Sequence, residues 1–228
     1  SDDGNTLATT GSVPSEKTQL TRIYQRSGST WNQQASFDNS NLRADCLLQP
    51  CGAVVHDSKL SADGNVLAQS ISFFSPATGG KAIRAVVVHA RNGATWSPQA
   101  LLETGENSAD IMALARDGKT LAVNQGARYR DGGIPSFALV FAQQSSGTWS
   151  QQARIPVGIT YIADVAAGAY GSMQLSDDGN TLAVMAENGA DERAVQAADL
   201  SCSPASEPWS YMALFTRNGT AWQRQAAI

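Results

Sequence analysis

The sequence lacks the features that mark several large classes of protein. Charged residues make up only 16% of its 228 residues, and the net charge of -4 comes from acidic and basic side chains scattered along the chain. No run of Lys or Arg follows the spacing of a phosphate backbone, so a nucleic-acid partner is not expected. No apolar stretch reaches the roughly 20 residues that a membrane-spanning helix needs, so no membrane span is expected either.

Catalytic and metal-binding patterns are also scarce. The two histidines, His56 and His89, have no Cys or His partner at metal-ligand spacing. The sequence contains neither a nucleophile elbow nor a phosphate-binding glycine loop. His56 falls beside Asp57 on a predicted innermost strand, where it is either an ordinary hydrogen-bonded strand residue or part of a site facing a central channel. The sequence therefore predicts no catalytic residue, no metal site and no cofactor.

Cysteine is rare but informative. Of three cysteines, Cys46 and Cys51 are separated by four residues in a predicted loop, a spacing that favours a local disulfide. The alternative is a pair of free thiols in a reducing compartment. Cys202 makes the count odd, so it is free, paired outside the chain, or paired with one of the other two.

What the sequence does contain is a repeat of two alternating units. The first places Asp-Gly between an apolar run and a Leu-Ala run, with its glycines at Gly4, Gly64, Gly118 and Gly179. The second is a glycine turn followed by Trp and Gln-Ala, with its tryptophans at Trp31, Trp96, Trp149 and Trp222. Asp-Gly tolerates the positive φ angles of a tight hairpin. A period of about 60 residues with four short strands per unit predicts the blades of a β-propeller.

The predicted fold is therefore all-β, a propeller of four four-stranded repeats over residues 1–53, 54–109, 110–170 and 171–228. We name the strands of each repeat A to D, with strand A before the Asp-Gly turn and strand D beginning at the tryptophan. The sequence starts at an Asp-Gly turn, so fifteen strands are predicted rather than sixteen. This favours a segment of a longer propeller over a four-bladed ring completed by a partner's strand. The periodic tryptophans are expected to pack between neighbouring blades.

The paired motifs resemble bacterial FG-GAP, or integrin-α-like, β-propeller repeats along essentially the whole chain. The resemblance implies an exported or surface protein that binds other molecules. The chain departs from the family at Tyr170-Gly171-Ser172, a reduced strand A entry, and in lacking the acidic calcium loop. The segment most similar to such a calcium loop contains Asp38, Ser40 and Asp45. It offers too few oxygen ligands for calcium, so a polar loop is expected there.

Five longer connections are predicted on one face of the propeller, over residues 36–52, 70–81, 125–135, 156–169 and 185–210. Because loops on a rigid scaffold usually carry binding function, Arg128, Tyr129, Arg130 and Trp209 are the candidate binding residues there. The alternative is that the long loops only decorate this face. Asn218 begins a glycosylation sequon, but a hairpin turn is the preferred interpretation.

The leading functional prediction is a non-enzymatic extracellular, cell-surface or periplasmic module that binds a protein or glycan. Two alternatives remain. One is a structural component of a larger surface assembly that uses an unpaired sheet edge. The other is a propeller enzyme with its site near His56.

Overall fold

A computed structural model describes residues 1–13, 18–43, 46, 51–74, 79, 81–105, 111–125, 136–158, 172–188 and 209–227. These residues form fifteen strands, the predicted number, in four antiparallel sheets. The strands are β1 (Thr6–Val13), β2 (Thr18–Ser27), β3 (Thr30–Asp38), β4 (Gly52–Leu60), β5 (Val66–Phe74), β6 (Ala82–Asn92), β7 (Thr95–Gly105), β8 (Met112–Leu114), β9 (Thr120–Gln125), β10 (Ser136–Gln143), β11 (Trp149–Gly158), β12 (Met173–Leu175), β13 (Thr181–Asn188), β14 (Trp209–Asn218) and β15 (Ala221–Ala227).

Each sheet is an up-and-down meander. The first sheet has three strands in the order β1-β2-β3, and the other three have four strands each: β4-β5-β6-β7, β8-β9-β10-β11 and β12-β13-β14-β15. Consecutive strands pair without a crossover, and two-residue turns connect β2 to β3, β6 to β7 and β14 to β15. The predicted fold class, an all-β propeller built from repeated sheets, is confirmed.

The Ser-x-Asp-Gly-Asn motif is a turn that satisfies its own polar groups. In the second repeat, the Ser61 hydroxyl donates to Asp63 at 2.6 Å, and the Asn65 backbone N–H donates to the same carboxylate at 3.0 Å. The Ser61 hydroxyl also accepts the Val66 N–H at 2.9 Å. Gly64 follows with a φ of 69°, a value that favours glycine. The motif thus recurs because it fixes the hairpin, independently of any ligand.

Hydrogen bonds to these turn carboxylates change their acidity. In the fourth repeat, the Ser176 hydroxyl and both N–H groups of Asn180 lower the pKa of Asp178 to about 2. The equivalent bonds, from Ser1 first and then Asn5, lower the pKa of Asp3 to about 2. The turns therefore keep their charge across the ordinary pH range.

The chain divides into two compact units. The first comprises Ser1–Glu106 with Arg116–Gly118, and the second comprises Asn107–Ala115 with Lys119–Ile228. Within the first unit, Ile23 of the first sheet packs against Leu67 and Trp96 of the second. The Trp96 indole N–H donates to the Gln34 side chain at 3.1 Å, so the recurring Trp of one repeat is bound by the recurring Gln of the preceding repeat.

The second unit repeats this arrangement. Leu182 and Phe215 of the fourth sheet pack in one apolar cluster with Val140 and Ile155 of the third. The Trp222 indole N–H donates to Gln152 at 3.3 Å, as Trp96 does to Gln34. Trp31, on the first sheet of this sequence, is 43% exposed.

Candidate functional site

The predicted binding loops contribute little to the described structure. Arg128, Tyr129 and Arg130 lie outside the described residues, as does Cys202. Trp209 is the first residue of β14, paired with Asn188, rather than part of a loop. Cross-strand pairing also extends β3, β5, β11 and β13 into four of the segments predicted as connections. The strands are thus longer than the turn signals indicated.

The predicted disulfide between Cys46 and Cys51 is present, with a Cα–Cα distance of 5.1 Å. Both cysteines are buried, and they pack against Ile71, Phe73 and Val87 of the second sheet. The bridge therefore ties the connection between the first two sheets to a hydrophobic core. A structural disulfide indicates an oxidising compartment. Among the residues that the structure describes, no helix is long and apolar enough to cross a membrane.

Removing this bridge in a Cys46→Ala, Cys51→Ala variant is expected to lower the free energy of unfolding by about 2 kcal/mol, because even a short cross-link restricts the unfolded chain. Urea titration of both proteins measures the difference. Wild type treated with reductant is the control, since it loses the bridge without a change of sequence. Equal midpoints for wild type and variant would contradict the prediction.

The beginning of the segment considered for calcium forms a turn. The Asp38 carboxylate accepts the Ser40 backbone N–H at 2.6 Å, and Asp45 lies outside the described residues. Over the described ranges, no three His, Cys, Asp or Glu side chains are grouped as a metal site requires.

A polar cluster surrounds His56. The register of β4 shifts between Val55 and Asp57, so His56 is the extra residue of a β-bulge. A bulge twists the strand locally and changes the direction of a side chain. The His56 ring nitrogen Nε2 lies 2.5 Å from the Ser72 hydroxyl on β5 and 2.9 Å from the Arg84 guanidinium on β6. Three adjacent strands of the second sheet thus contribute one side chain each.

The hydrogen bonds constrain the chemistry of this cluster. A guanidinium only donates hydrogen bonds, so Nε2 accepts from Arg84 and the ring proton resides on Nδ1. Ser72 and Arg84 are buried, whereas His56 is exposed. Ser72 is therefore inaccessible as a nucleophile. The cluster thus holds one exposed imidazole whose Nε2 side is fixed by buried groups.

Asp57, the neighbour of His56 in the sequence, does not complete a catalytic pair in the described contacts. Its carboxylate accepts the Ser58 N–H at 2.8 Å and lies 3.1 Å from the Lys59 ammonium group. The described contacts of His56 are those with Ser72 and Arg84.

His89 has a different role, in the core. It is 2% exposed and stacks on Phe37 of the first sheet with ring centroids 4.2 Å apart. Burial lowers its pKa to about 4 from the usual 6.5. Its Nδ1 has no hydrogen-bond partner in the described structure. His89 is a neutral core residue.

Gln69 joins the first two sheets through a buried polar network. Its side-chain NH2 donates to Thr21 at 2.9 Å and to Ser58 at 3.2 Å, and its carbonyl accepts from Asn39 at 3.3 Å. The sequence did not identify this residue, because its polar partners lie 11 to 59 positions away. Its full burial and satisfied hydrogen bonds indicate a packing role.

Comparisons with known proteins find similarity only among solved structures, since no protein-family model and no curated protein matches. A prolyl endopeptidase structure matches with 12% identity and a TM-score of 0.49, over 98% of this chain and 26% of that one. The acylaminoacyl peptidase of Pyrococcus horikoshii matches with 10% identity and a TM-score of 0.48, over 96% and 30% of the two chains. The tricorn protease matches with 13% identity and a TM-score of 0.45, over 97% and 22%.

These neighbours contradict the prediction of a non-enzymatic binding or adhesion module, because all three are peptidases. The prediction that the chain is not an enzyme is corrected with it. At identities of 10 to 13%, the likeness concerns the fold and does not transfer peptidase activity. The chain spans about a quarter of the length of these solved chains.

Proposed function

We propose that this chain is the β-propeller part of a larger enzyme, and that His56 contacts the enzyme's substrate. The observation that carries the proposal is the bulge at His56, which places an exposed imidazole on β4 between two buried polar partners. Bulges are common next to active sites, where they redirect a side chain. In a propeller, the first strand of each blade lines the channel, and β4 is the first strand of the second sheet.

The substrate class we propose is a peptide. An exposed imidazole is suited to hydrogen bonding with the polar backbone of a peptide, and the buried guanidinium of Arg84 fixes the ring of His56 at Nε2. The peptidase activity of the structural neighbours is consistent with such a substrate. His56 then acts as a binding residue, and the bond-breaking groups belong to another part of the enzyme.

Substitution of His56 by alanine is expected to lower kcat/KM for peptide hydrolysis by about tenfold, the equivalent of one lost hydrogen bond. The effect should fall on KM, since a contact that is equal in ground and transition states does not change kcat. The assay uses the complete enzyme that carries this chain and a proline-containing fluorogenic peptide.

Lys59→Ala is the matched control, because Lys59 is an exposed residue of the same strand and lies outside the His56 cluster. It should leave KM and kcat unchanged. Equal KM values for His56→Ala and wild type would overturn the role of His56, and absence of peptide hydrolysis by the wild type would overturn the substrate class.

We also propose that the repeats are of the FG-GAP type and that the protein is exported to the cell surface, periplasm or exterior. The Ser-x-Asp-Gly-Asn turns and the Trp-x-x-Gln-Ala strands support the repeat type. The Cys46–Cys51 bridge supports an oxidising location.

A further inference from the structure

The hairpin between β14 and β15 carries a motif that the proposed function does not use. Asn218-Gly219-Thr220 is the only Asn-x-Ser/Thr sequence among the 228 residues, and its middle residue is not proline. A sequence of this form is the acceptor for N-linked glycosylation when it lies on the surface of an exported protein. In the structure, Asn218 pairs with Ala221 across the two strands, and Gly219 and Thr220 form the turn. A turn and an acceptor are compatible, because the turn depends on the backbone and glycan transfer on the side chains.

The motif is accessible at the tip of this hairpin. Asn218, Gly219 and Thr220 are all exposed. A Cβ on Gly219 would meet no atom within 4 Å, so the space beside the turn is open. No described hydrogen bond involves the side chain of Asn218 or of Thr220. The guanidinium of the preceding Arg217 donates to Asn180 at 2.8 Å, so this side chain is held by another part of the fourth repeat.

Two matched hairpins show that the turn requires neither Asn218 nor Thr220. The turns from β2 to β3 and from β6 to β7 have the same length, and their glycines have φ angles of 61° and 62°, against 62° for Gly219. The first of these turns has Ser27 at the position of Asn218, and the second has Ala94 at the position of Thr220. The turn therefore explains the glycine, but neither the amide nor the hydroxyl of the motif.

We propose that Asn218 is an N-glycosylation site of the exported protein. The side-chain nitrogen of Asn218 attacks the anomeric carbon of a sugar that is carried on a lipid diphosphate. A C–N bond forms, the C–O bond to the phosphate breaks, the lipid diphosphate leaves, and the amide nitrogen gives up one proton. The hydroxyl of Thr220 is the group by which a transferase selects this asparagine. The inference rests on the export proposed above, which the Cys46–Cys51 bridge supports.

Peptide mapping of the complete protein, purified from the organism that encodes it, tests the site. The unmodified peptide that contains Asn218 is expected to be absent before treatment with an N-glycosidase. After treatment in heavy-oxygen water, the peptide should appear with this asparagine converted to a labelled aspartate. Full recovery of the unmodified peptide before treatment, measured against a synthetic standard, would overturn the proposal.

Asn92 is the internal control for this measurement. Like Asn218, it is exposed and precedes the glycine of a two-residue turn, but Ala94 removes the acceptor motif. Asparagine before glycine also deamidates spontaneously, so the label at Asn92 gives the background in the same sample. Labelling of Asn218 no greater than that of Asn92 would contradict the presence of a glycan.

Three variants separate the acceptor from the turn. Thr220→Ala keeps the turn that the second repeat forms with Ala94, so it should fold as the wild type does, by circular dichroism, and lose the glycan completely. Thr220→Ser should keep the glycan. Ala94→Thr creates the same motif in the matched hairpin and should add a second glycan, at Asn92. A glycan retained by Thr220→Ala, or no second glycan on Ala94→Thr, would contradict selection of an exposed hairpin acceptor by its hydroxyl.

The state of Cys46 and Cys51 in the same peptide map distinguishes the two proposals. A bridged pair together with an unmodified Asn218 would overturn the glycosylation site and leave the proposed export in place. Free thiols in the protein as purified would overturn the export, and the glycosylation site with it. A bridged pair together with a glycan at Asn218 is the expected result.

Discussion

Alanine at position 64 is expected to lower the free energy of unfolding by about 3 kcal/mol or more, whereas alanine at position 4 should lower it by only about 1 kcal/mol. The two glycines occupy the same position of the same turn. Their φ angles are 67° for Gly4 and 69° for Gly64, so the backbone strain of a side chain is common to both.

The difference comes from the preceding repeat. A Cβ at Gly64 would lie 2.5 Å from Oγ1 and 2.8 Å from Cβ of Thr6, a side chain that is itself buried. Thr6 is β-branched and cannot rotate both atoms away, so the strands must separate. At Gly4 the same Cβ meets open space. At Gly64 this overpacking adds about 1 to 3 kcal/mol to the backbone strain that both variants share.

Urea unfolding of Gly4→Ala, Gly64→Ala and wild type measures the backbone strain and the overpacking separately. Gly179→Ala is a third test, because its Cβ would lie 2.7 Å from Thr120 in the second unit, and it should behave like Gly64→Ala. Equal losses of stability at Gly4 and Gly64 would show that the Gly64 turn does not pack against Thr6 of the preceding repeat, and would contradict the packing described above.

The turns illustrate how much of the fold can be predicted from the sequence. Asp-Gly predicts a positive φ because only local sterics are involved, and Gly4, Gly64, Gly118 and Gly179 all have one. The number of strands follows from the repeat. The disulfide follows from the four-residue spacing between Cys46 and Cys51 and the geometry of a short loop. Each of these inferences needs only residues that are close in the sequence.

The candidate site could not be predicted in the same way. His56, Ser72 and Arg84 come together through the registers of three strands, over separations of 16 and 28 residues. The bulge that selects His56 has no local sequence signal of its own. The recurring glutamine of Trp-x-x-Gln-Ala was visible, but its role in binding the next tryptophan depends on the packing of two sheets. Contacts that depend on long-range strand pairing or on the packing of two sheets therefore could not be predicted from the sequence.

His89 should make the protein less stable as the pH falls from 6.5 towards 4. Its pKa in the folded protein is about 4, against 6.5 as the ordinary value, because burial disfavours the charged ring. Between these values the unfolded chain binds a proton that the folded chain does not, so protonation favours unfolding. The contribution of His89 to the free energy of unfolding is fully retained above pH 6.5. At pH 4.5 this contribution has fallen by about 2 to 3 kcal/mol.

Phenylalanine at position 89 is expected to remove this pH dependence. Phe141 and Phe215 occupy the same position in the third and fourth repeats, opposite Leu121 and Leu182, so an aromatic ring suits the site. The substitution also removes the buried Nδ1 that lacks a partner, a gain of about 1 kcal/mol at neutral pH. Stacking on Phe37 is retained, because both rings are planar and similar in size.

Urea midpoints of wild type and His89→Phe at pH 7.5, 5.5 and 4.5 give the test. The stability difference between the two proteins should widen from about 1 kcal/mol at pH 7.5 to about 3 to 4 kcal/mol at pH 4.5. Comparing the two proteins at each pH cancels the titration of the carboxylates that they share. If wild type and His89→Phe lost stability equally as the pH falls, the acid sensitivity would come from another group. That result would refute a neutral, buried His89.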